Sequence, residues 1–250
     1  MCHHCPQART VVLQRSAAPV AHTISSKTSV VDVWRTVGAV CFDVDSTVCE
    51  DEGIDVLAAH CGAGEAVAAW TTKAMNGGVK FEDALAARLD IIKPSRQDIK
   101  NCLATNPPAL TKGIKELVAT LHENNIEVFL VSGGFRLMIE PVAKQLNVPL
   151  RNIYANTIFF DENDEYRGFD DTELTSRDGG KAEAIKVIKK THGHEVIAMI
   201  GDGVTDLQAR PPADLFIGFG GIVTRPIVKA NADWFVTDFE DLTAPLRLKN

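Results

Sequence analysis

Three short apolar runs constrain the fold of this chain more than anything else in it. Ala39–Phe42, Val128–Val131 and Val196–Ile200 contain no polar residue, and each stops abruptly. The stops are Asp43-Val44-Asp45, Ser132-Gly133-Gly134 and Gly201-Asp202-Gly203. Runs of four or five residues are too short for buried helices and read as strands covered on both faces. Helical patterns separate them: Thr111 capping a helix through Leu121, then Phe135–Leu146, Gly180–Lys190 and Leu207–Arg210. Further strands are expected at Ile153–Phe159, Leu215–Ile217 and Trp234–Val236, with Asp161-Glu162-Asn163-Asp164 as a hairpin turn into Tyr166. Strands alternating with helices predict an α/β fold: a doubly wound, mostly parallel sheet with right-handed crossovers and helices on both faces.

One stretch breaks the alternation. From residue 52 to 105 the chain shows helical patterns and no good strand: Ile54, Leu57 and Ala58 on one face, then Ala66–Met75, Phe81–Ile92, and a helix capped by Ser95. Asn106-Pro107-Pro108 ends it. So little apolar surface makes no independent domain, and the stretch reads as a small helical cap inserted after the first strand. The expected division is residues 31–50 and 106–250 as the α/β core, 51–105 as the cap, and 1–30 as a tail. Met1 to Val31 holds no Asp or Glu but has Arg9, Arg15 and Lys27 among Ser, Thr and Ala. That pattern resembles an organellar transit sequence and equally a disordered tail. The expected location is therefore the cytoplasm, or a plastid or mitochondrion if residues 1–30 act as a transit sequence. Cys2-His3-His4-Cys5 lacks the distant second ligand pair of a structural zinc site.

Bulk properties exclude some classes of function. A net charge of −7 argues against a nucleic-acid binder, which would carry a basic stripe. No apolar run approaches the ~18 residues of a membrane span. The six cysteines form no regular framework, and Cys41, Cys61 and Cys102 read as small core residues in a reducing compartment.

Chemistry is expected where the apolar runs stop, because doubly wound sheets bind ligands outside the carboxyl ends of their strands. Asp43 and Asp45, two residues apart at a strand end, point the same way. Two carboxylates so close raise each other's pKa unless a cation or a shared proton offsets them. Asp43, Asp45, Asp202 and Asp206 are oxygen donors without thiolate or imidazole, which suits a hard ion such as magnesium with phosphate completing its shell. Ser132 and the amides of Gly133 and Gly134 can hold phosphate oxygens. Lys181, opening a helix after Gly179-Gly180, can neutralise a phosphoryl group. Taken singly, these are an acidic turn, two tight glycine turns and a solvated lysine. Taken together, in this order at three strand ends, they make one site.

Asp43-Val44-Asp45-Ser46-Thr47, Ser132, Lys181 and Gly201-Asp202-Gly203-Val204-Thr205-Asp206 resemble the four motifs of the haloacid dehalogenase-like phosphohydrolases. The resemblance covers roughly residues 35 to 245. The fuller strings CFDVDSTV, EGID, VSGGF and IGDGVTD are similar to those of the family's members that act on O-phosphoserine. The resemblance implies that Asp43 takes the phosphoryl group as an aspartyl-phosphate and that Asp45 is acid, then base. It implies Mg2+ on Asp43, the Asp45 backbone carbonyl and Asp202, with Asp206 in support. It places Ser132, Gly133, Gly134, Lys181 and Thr205 on phosphoryl oxygens, and Arg225 at a ligand-binding position. In the cap it implies Glu52 on the substrate ammonium, Arg88 on its carboxylate and Met75 packed above. Asn76 replaces a glycine common in the family and would still serve through its backbone.

The expected function is magnesium-dependent hydrolysis of O-phospho-L-serine to L-serine and phosphate, the last step of L-serine biosynthesis. The alternative is a phosphatase or phosphotransferase for another small phosphomonoester. A phospho-accepting signalling module fits less well, because Asp45 beside the nucleophile drives turnover and such modules need no cap. A catalytically dead relative would lack the nucleophile or the lysine. The expected partner is a small molecule, with neither nucleic acid nor membrane involved; a homodimer stays open.

Overall fold

A computed structural model describes residues 29–75 and 79–247, without the side chains of residues 72–75. The segment before residue 29, with the CHHC cluster, and Asn76 lie outside the described residues. A helix the sequence reading missed comes first: α1, Val30–Trp34, with Ser29 and Asp32 forming a reciprocal capping box. Five residues are too few to show a period. Strand β1, Ala39–Phe42, follows, then a wound turn over Val44–Val48. Four helices come next: α2 (Gly53–His60), α3 (Gly64–Met75), α4 (Phe81–Ile92) and α5 (Arg96–Thr105). Ser95 caps α5 as expected, in a capping box with Asp98.

The alternating region begins with α6, Ile114–Glu123. Thr111 does not cap it. Gly113 occupies the N-cap position at φ +84°, Thr111 Oγ1 is buried without a partner, and the Thr111 amide donates to Val48 instead. Strand β2 runs Glu127–Phe135, well past Val131, because the paired register shifts between Val131 and Phe135 and Phe135 still pairs with Asn156. The helix that follows, α7, is therefore Arg136–Gln145, and Gly133-Gly134 lie in a bulged strand end rather than at a helix start. Ile153–Phe159 divides into β3 (Ile153–Asn156), which stays in the main sheet, and β4 (Ile158–Phe160), which forms a hairpin with β5 (Tyr166–Phe169). The remaining elements are α8 (Gly180–His192), β6 (Ile197–Gly201), α9 (Val204–Leu207) and β7 (Leu215–Phe219). The chain closes with α10 (Pro226–Asn231), β8 (Trp234–Val236) and α11 (Glu240–Arg247).

The main sheet has six parallel strands in the order β3-β2-β1-β6-β7-β8. The chain winds outward from β1 in one direction and then from β6 in the other, so the winding reverses between these two central strands. A ligand crevice is expected there. Alternate residues of the strands feed two cores. Val40, Phe42, Leu130, Ile200 and Ile217 pack under α6, α7 and α11, while Cys41, Phe129, Val131, Met199 and Phe216 pack under α8 and α10. Helices α2, α4 and α5 share a third cluster that reaches Phe135, Met138 and Ile158. The two connections to this helical segment pair with each other, Glu50 donating to Ala109 and Thr111 to Val48, around a bridge between Cys49 and Leu110. Cys41, Cys49, Cys61 and Cys102 are free thiols. Among the described residues no helix is long and apolar enough to cross a membrane.

Trp34 joins the two ends of the described chain. Its side chain is fully buried, and its indole N–H donates to the Leu242 carbonyl on α11 at 2.9 Å. Trp34→Ala removes a large core side chain and orphans a buried carbonyl, so it should cost about 3–5 kcal/mol. Urea unfolding should show a lower midpoint at unchanged slope; a loss under about 1 kcal/mol would contradict the tie between α1 and α11.

Candidate active site

The site lies at the carboxyl ends of β1, β2 and β6, beside the reversal of winding. The Asp43 amide donates to the Ile200 carbonyl at 2.9 Å, which fixes the end of β1 against β6. Asp43 is buried, and its Oδ1 accepts from the Val44 amide at 2.8 Å and lies 2.8 Å from Lys181 Nζ. Among the described residues, Oδ2 has no hydrogen-bond partner. Ser46, at φ +54°, turns the chain back after the strand end and donates its hydroxyl to Glu52 at 2.8 Å.

Asp45 has a different environment from Asp43. Its Oδ1 accepts from the Gly53 amide at 2.7 Å and its Oδ2 from the Ser132 hydroxyl at 3.3 Å, with no salt bridge to a cation among the described residues. Burial first, then the charges of Glu52 and Asp43, push its pKa up to about 7. One carboxylate is thus held beside an ammonium, and its neighbour is tuned to carry a proton near neutrality.

Lys181 is buried, with 8% of its surface exposed, and reaches Asp206 Oδ1 at 2.6 Å as well as Asp43. Burial would lower its pKa, but the charges of Asp206 and Asp43 outweigh that and hold it above the usual lysine range. Its place depends on Gly179, at φ +73°, and on Gly180, where a Cβ would overlap the Leu174 carbonyl. Asp206 Oδ2 accepts from the Gly203 amide at 3.0 Å; burial and the charge of Asp43 push this acid up, and Lys181 opposes them. Gly201 is needed because a Cβ there would overlap the Asp206 carboxyl. Asp202 accepts from Arg225 Nε at 2.9 Å and from the Thr47 hydroxyl at 3.3 Å. Burial and the charge of Asp43 raise its pKa, and Arg225 lowers it.

Carboxylate oxygens of Asp43, Asp202 and Asp206 come within 4.8 Å of one another, all from buried residues. Lys181 and Arg225 balance two of these three charges, while Asp45 and Glu52 add more negative charge nearby. Buried carboxylates in excess, with oxygen donors alone, suit a hard divalent cation. On the β2 side, Ser132 is fully buried and accepts from the Gly134 amide at 2.9 Å. A Cβ at residue 133 would stand 2.7 Å from Phe81 of α4, and one at 134 would stand 2.9 Å from Asp45 Oδ2. Both glycines admit neighbours rather than forming a sharp turn. Thr205 is half-buried in α9, in the turn that also holds Asp202 and Asp206.

The helical segment contributes Glu52 and Arg88. Burial raises the Glu52 pKa, with the Ser46 hydroxyl opposing and Asp43 and Asp202 adding to it. Arg88 is half-buried on α4, donates Nε to the Ala84 carbonyl at 3.1 Å, and feels the charges of Asp55, Glu52 and Asp45. Met75 ends α3, and its side chain is not described. Asp55 was missed by the sequence reading: burial raises its pKa, its Oδ1 has no hydrogen-bond partner among the described residues, and Arg88 pulls against that rise. Its one signal was its place in the EGID string, one helical turn beyond Glu52.

The model of the haloacid dehalogenase-like hydrolases matches residues 37–214. A curated relative, the chloroplastic phosphoserine phosphatase of Arabidopsis thaliana, is 56% identical over 85% of this chain and 73% of its own length. A solved structure of a phospho-aspartyl intermediate analogue of phosphoserine phosphatase is 25% identical, with a TM-score of 0.71, covering 83% of this chain and 98% of that one. The Dunaliella salina protein DsGPDH is 35% identical at a TM-score of 0.77 over 88% of this chain, which spans only 38% of that one. By the length of the family match and the identity to the plant relative, the chain belongs to the haloacid dehalogenase-like hydrolase family.

Proposed function

We propose that this chain hydrolyses O-phospho-L-serine to L-serine and phosphate, closing L-serine biosynthesis. The observation that carries the reading is the unequal pair at the end of β1: Asp43 against Lys181, and Asp45 with a pKa near 7 against Ser132 and Gly53. With Oδ1 occupied by Val44 and Lys181, Oδ2 of Asp43 is the oxygen free to attack phosphorus. Asp45 gives its proton to the departing serine oxygen. It then takes one from the water that hydrolyses the aspartyl-phosphate, so each turnover returns it to its starting state. Lys181, Ser132, the Gly133 and Gly134 backbone and Thr205 bind phosphoryl oxygens, and Arg225 orients Asp202. Magnesium fits the donors Asp43, Asp202 and the Asp45 backbone carbonyl, with Asp206 in support. When bound, it offsets the phosphate charge against these carboxylates.

Helices α2 to α5 act in this reading as a cap that selects the substrate. Glu52 pairs with the ammonium, the Arg88 fork takes the carboxylate, and Met75 with Asn76 closes over them. An amino-acid phosphate supplies both charges; a simple phosphomonoester supplies neither. The plant relative's chloroplastic location supports reading residues 1–30 as a transit sequence.

Asp43→Asn should lower kcat by several orders of magnitude with an unchanged far-UV spectrum, since the nucleophile is lost while Asp206 still pairs with Lys181. Retained turnover would sink the covalent route. Stripping divalent cations with EDTA should abolish phosphate release, and added Mg2+ should restore it. Arg88→Ala and Glu52→Ala should raise KM for phosphoserine about 10- to 100-fold while barely changing that for p-nitrophenyl phosphate. Equal effects on both substrates would remove the phosphoserine assignment and favour another small phosphomonoester.

A further inference from the structure

A second cluster of donors sits at the opposite end of the sheet. Glu127 opens β2, His192 ends α8, and His194 follows Gly193 in the loop to β6. Ser132 lies five residue steps beyond Glu127, roughly 16 Å along β2, so this cluster is remote from the aspartates. His192 Nδ1 lies 3.0 Å from Glu127 Oε2, and His194 Nε2 lies 2.9 Å from the same oxygen. The three donor atoms fall within 4.8 Å of one another.

We propose that Glu127, His192 and His194 form a binding site for a borderline divalent cation of the zinc or cobalt kind. Two imidazoles and one carboxylate suit such ions, whereas the all-carboxylate group at the other end suits a hard one. Tetrahedral bonds of about 2.0–2.1 Å set neighbouring nitrogen and oxygen donors about 3.3 Å apart. The two separations from Glu127 Oε2, 3.0 and 2.9 Å, therefore need to widen by only about 0.4 Å. Each imidazole binds through the nitrogen now facing Glu127 and keeps its proton on the other ring nitrogen. The three side chains are 19–30% exposed, which leaves a coordination position for water.

The surroundings already orient these donors, as metal sites require. Asn152 Nδ2 donates to Glu127 Oε1 at 3.1 Å and to the Val128 carbonyl at 3.0 Å, turning Oε2 toward the histidines. Phe129 meets His192 edge-on, with ring centroids 4.8 Å apart, and the two imidazoles stack nearly parallel at 6.0 Å. Gly193, at φ +72°, turns the chain so that both rings reach one oxygen. Gly38 leaves room for the second ring, since a Cβ there would stand 3.0 Å from His194 Nδ1. A cation held here ties the end of α8 to the start of β2 and so braces the helix whose first turn carries Lys181.

The test is a titration of the full chain with Co2+ in saturating Mg2+, which fills the carboxylate group, followed by visible ligand-field absorption. One equivalent should give four-coordinate bands that Zn2+ abolishes, and Zn2+ should raise the Tm in the same buffer. His192→Gln with His194→Gln should weaken Co2+ binding at least about tenfold and cancel the Tm rise, with an unchanged far-UV spectrum. Should that pair not fold, Glu127→Gln takes its place with the same expectation. Equal Co2+ binding by wild type and variant overturns the proposal. So does a wild-type chain with neither bands nor Tm shift, leaving a carboxylate that merely accepts two imidazole hydrogen bonds.

Discussion

The active end of the molecule depends on one buried ammonium. Lys181 stands between Asp43, just past the end of β1, and Asp206 on α9, so three separate segments are held by a single charge. An unpaired charge in such a place would cost several kcal/mol, and removing one partner of a buried pair is typically worth 3–5 kcal/mol. Lys181 is therefore a structural requirement as well as the fixed positive charge at the centre of the acidic site. The glycines around it follow from the same constraint. Gly180 and Gly201 leave the space in which the lysine and Asp206 approach, and bulkier residues would push them apart.

Around that bridge the site is built by contrast. Asp43 and Asp45 are chemically identical and two residues apart, yet Asp43 has a cation and Asp45 has only neutral donors with Glu52 close by. The backbone turn at Ser46 produces the difference, because it sends the chain on to Glu52 and Gly53 before α2 begins. The start of the helical segment thus takes part in tuning the pair. The two ends of the sheet also differ in donor chemistry: oxygen alone at the carboxyl ends, imidazole with one carboxylate at the amino ends.

Sequence and structure agree where a run of residues contains its own signal. The edges of β1 and β8 match the apolar runs, and Ser95 caps α5 because its partner Asp98 lies three residues on. They part where a distant neighbour decides. β2 continues beyond Val131 because β3 still pairs with it across a bulge, and Ile158 leaves the main sheet because Phe169 offers another ladder. Thr111 looked like a cap, but its amide is used at the connection to Val48 and Gly113 takes the turn. Helix α9 starts at Val204 rather than Leu207, drawn forward by Asp206 bonding back to Gly203.

By itself the sequence determined the α/β alternation, the helical insertion, the acids and serine at the strand ends, and the lysine that opens a helix. These are local facts, written in runs of a few residues whose period or abrupt end is visible without a partner. Tertiary structure alone decided which oxygen of Asp43 is committed to Lys181, why burial and neighbouring charges push the Asp45 pKa up, and that Asp55 and Arg88 feel each other's charge. It alone brought Glu127 to His192 and His194, 65 and 67 residues away. Charge, burial and donor geometry depend on spatial neighbours, and those neighbours are set by strand order rather than by distance along the chain.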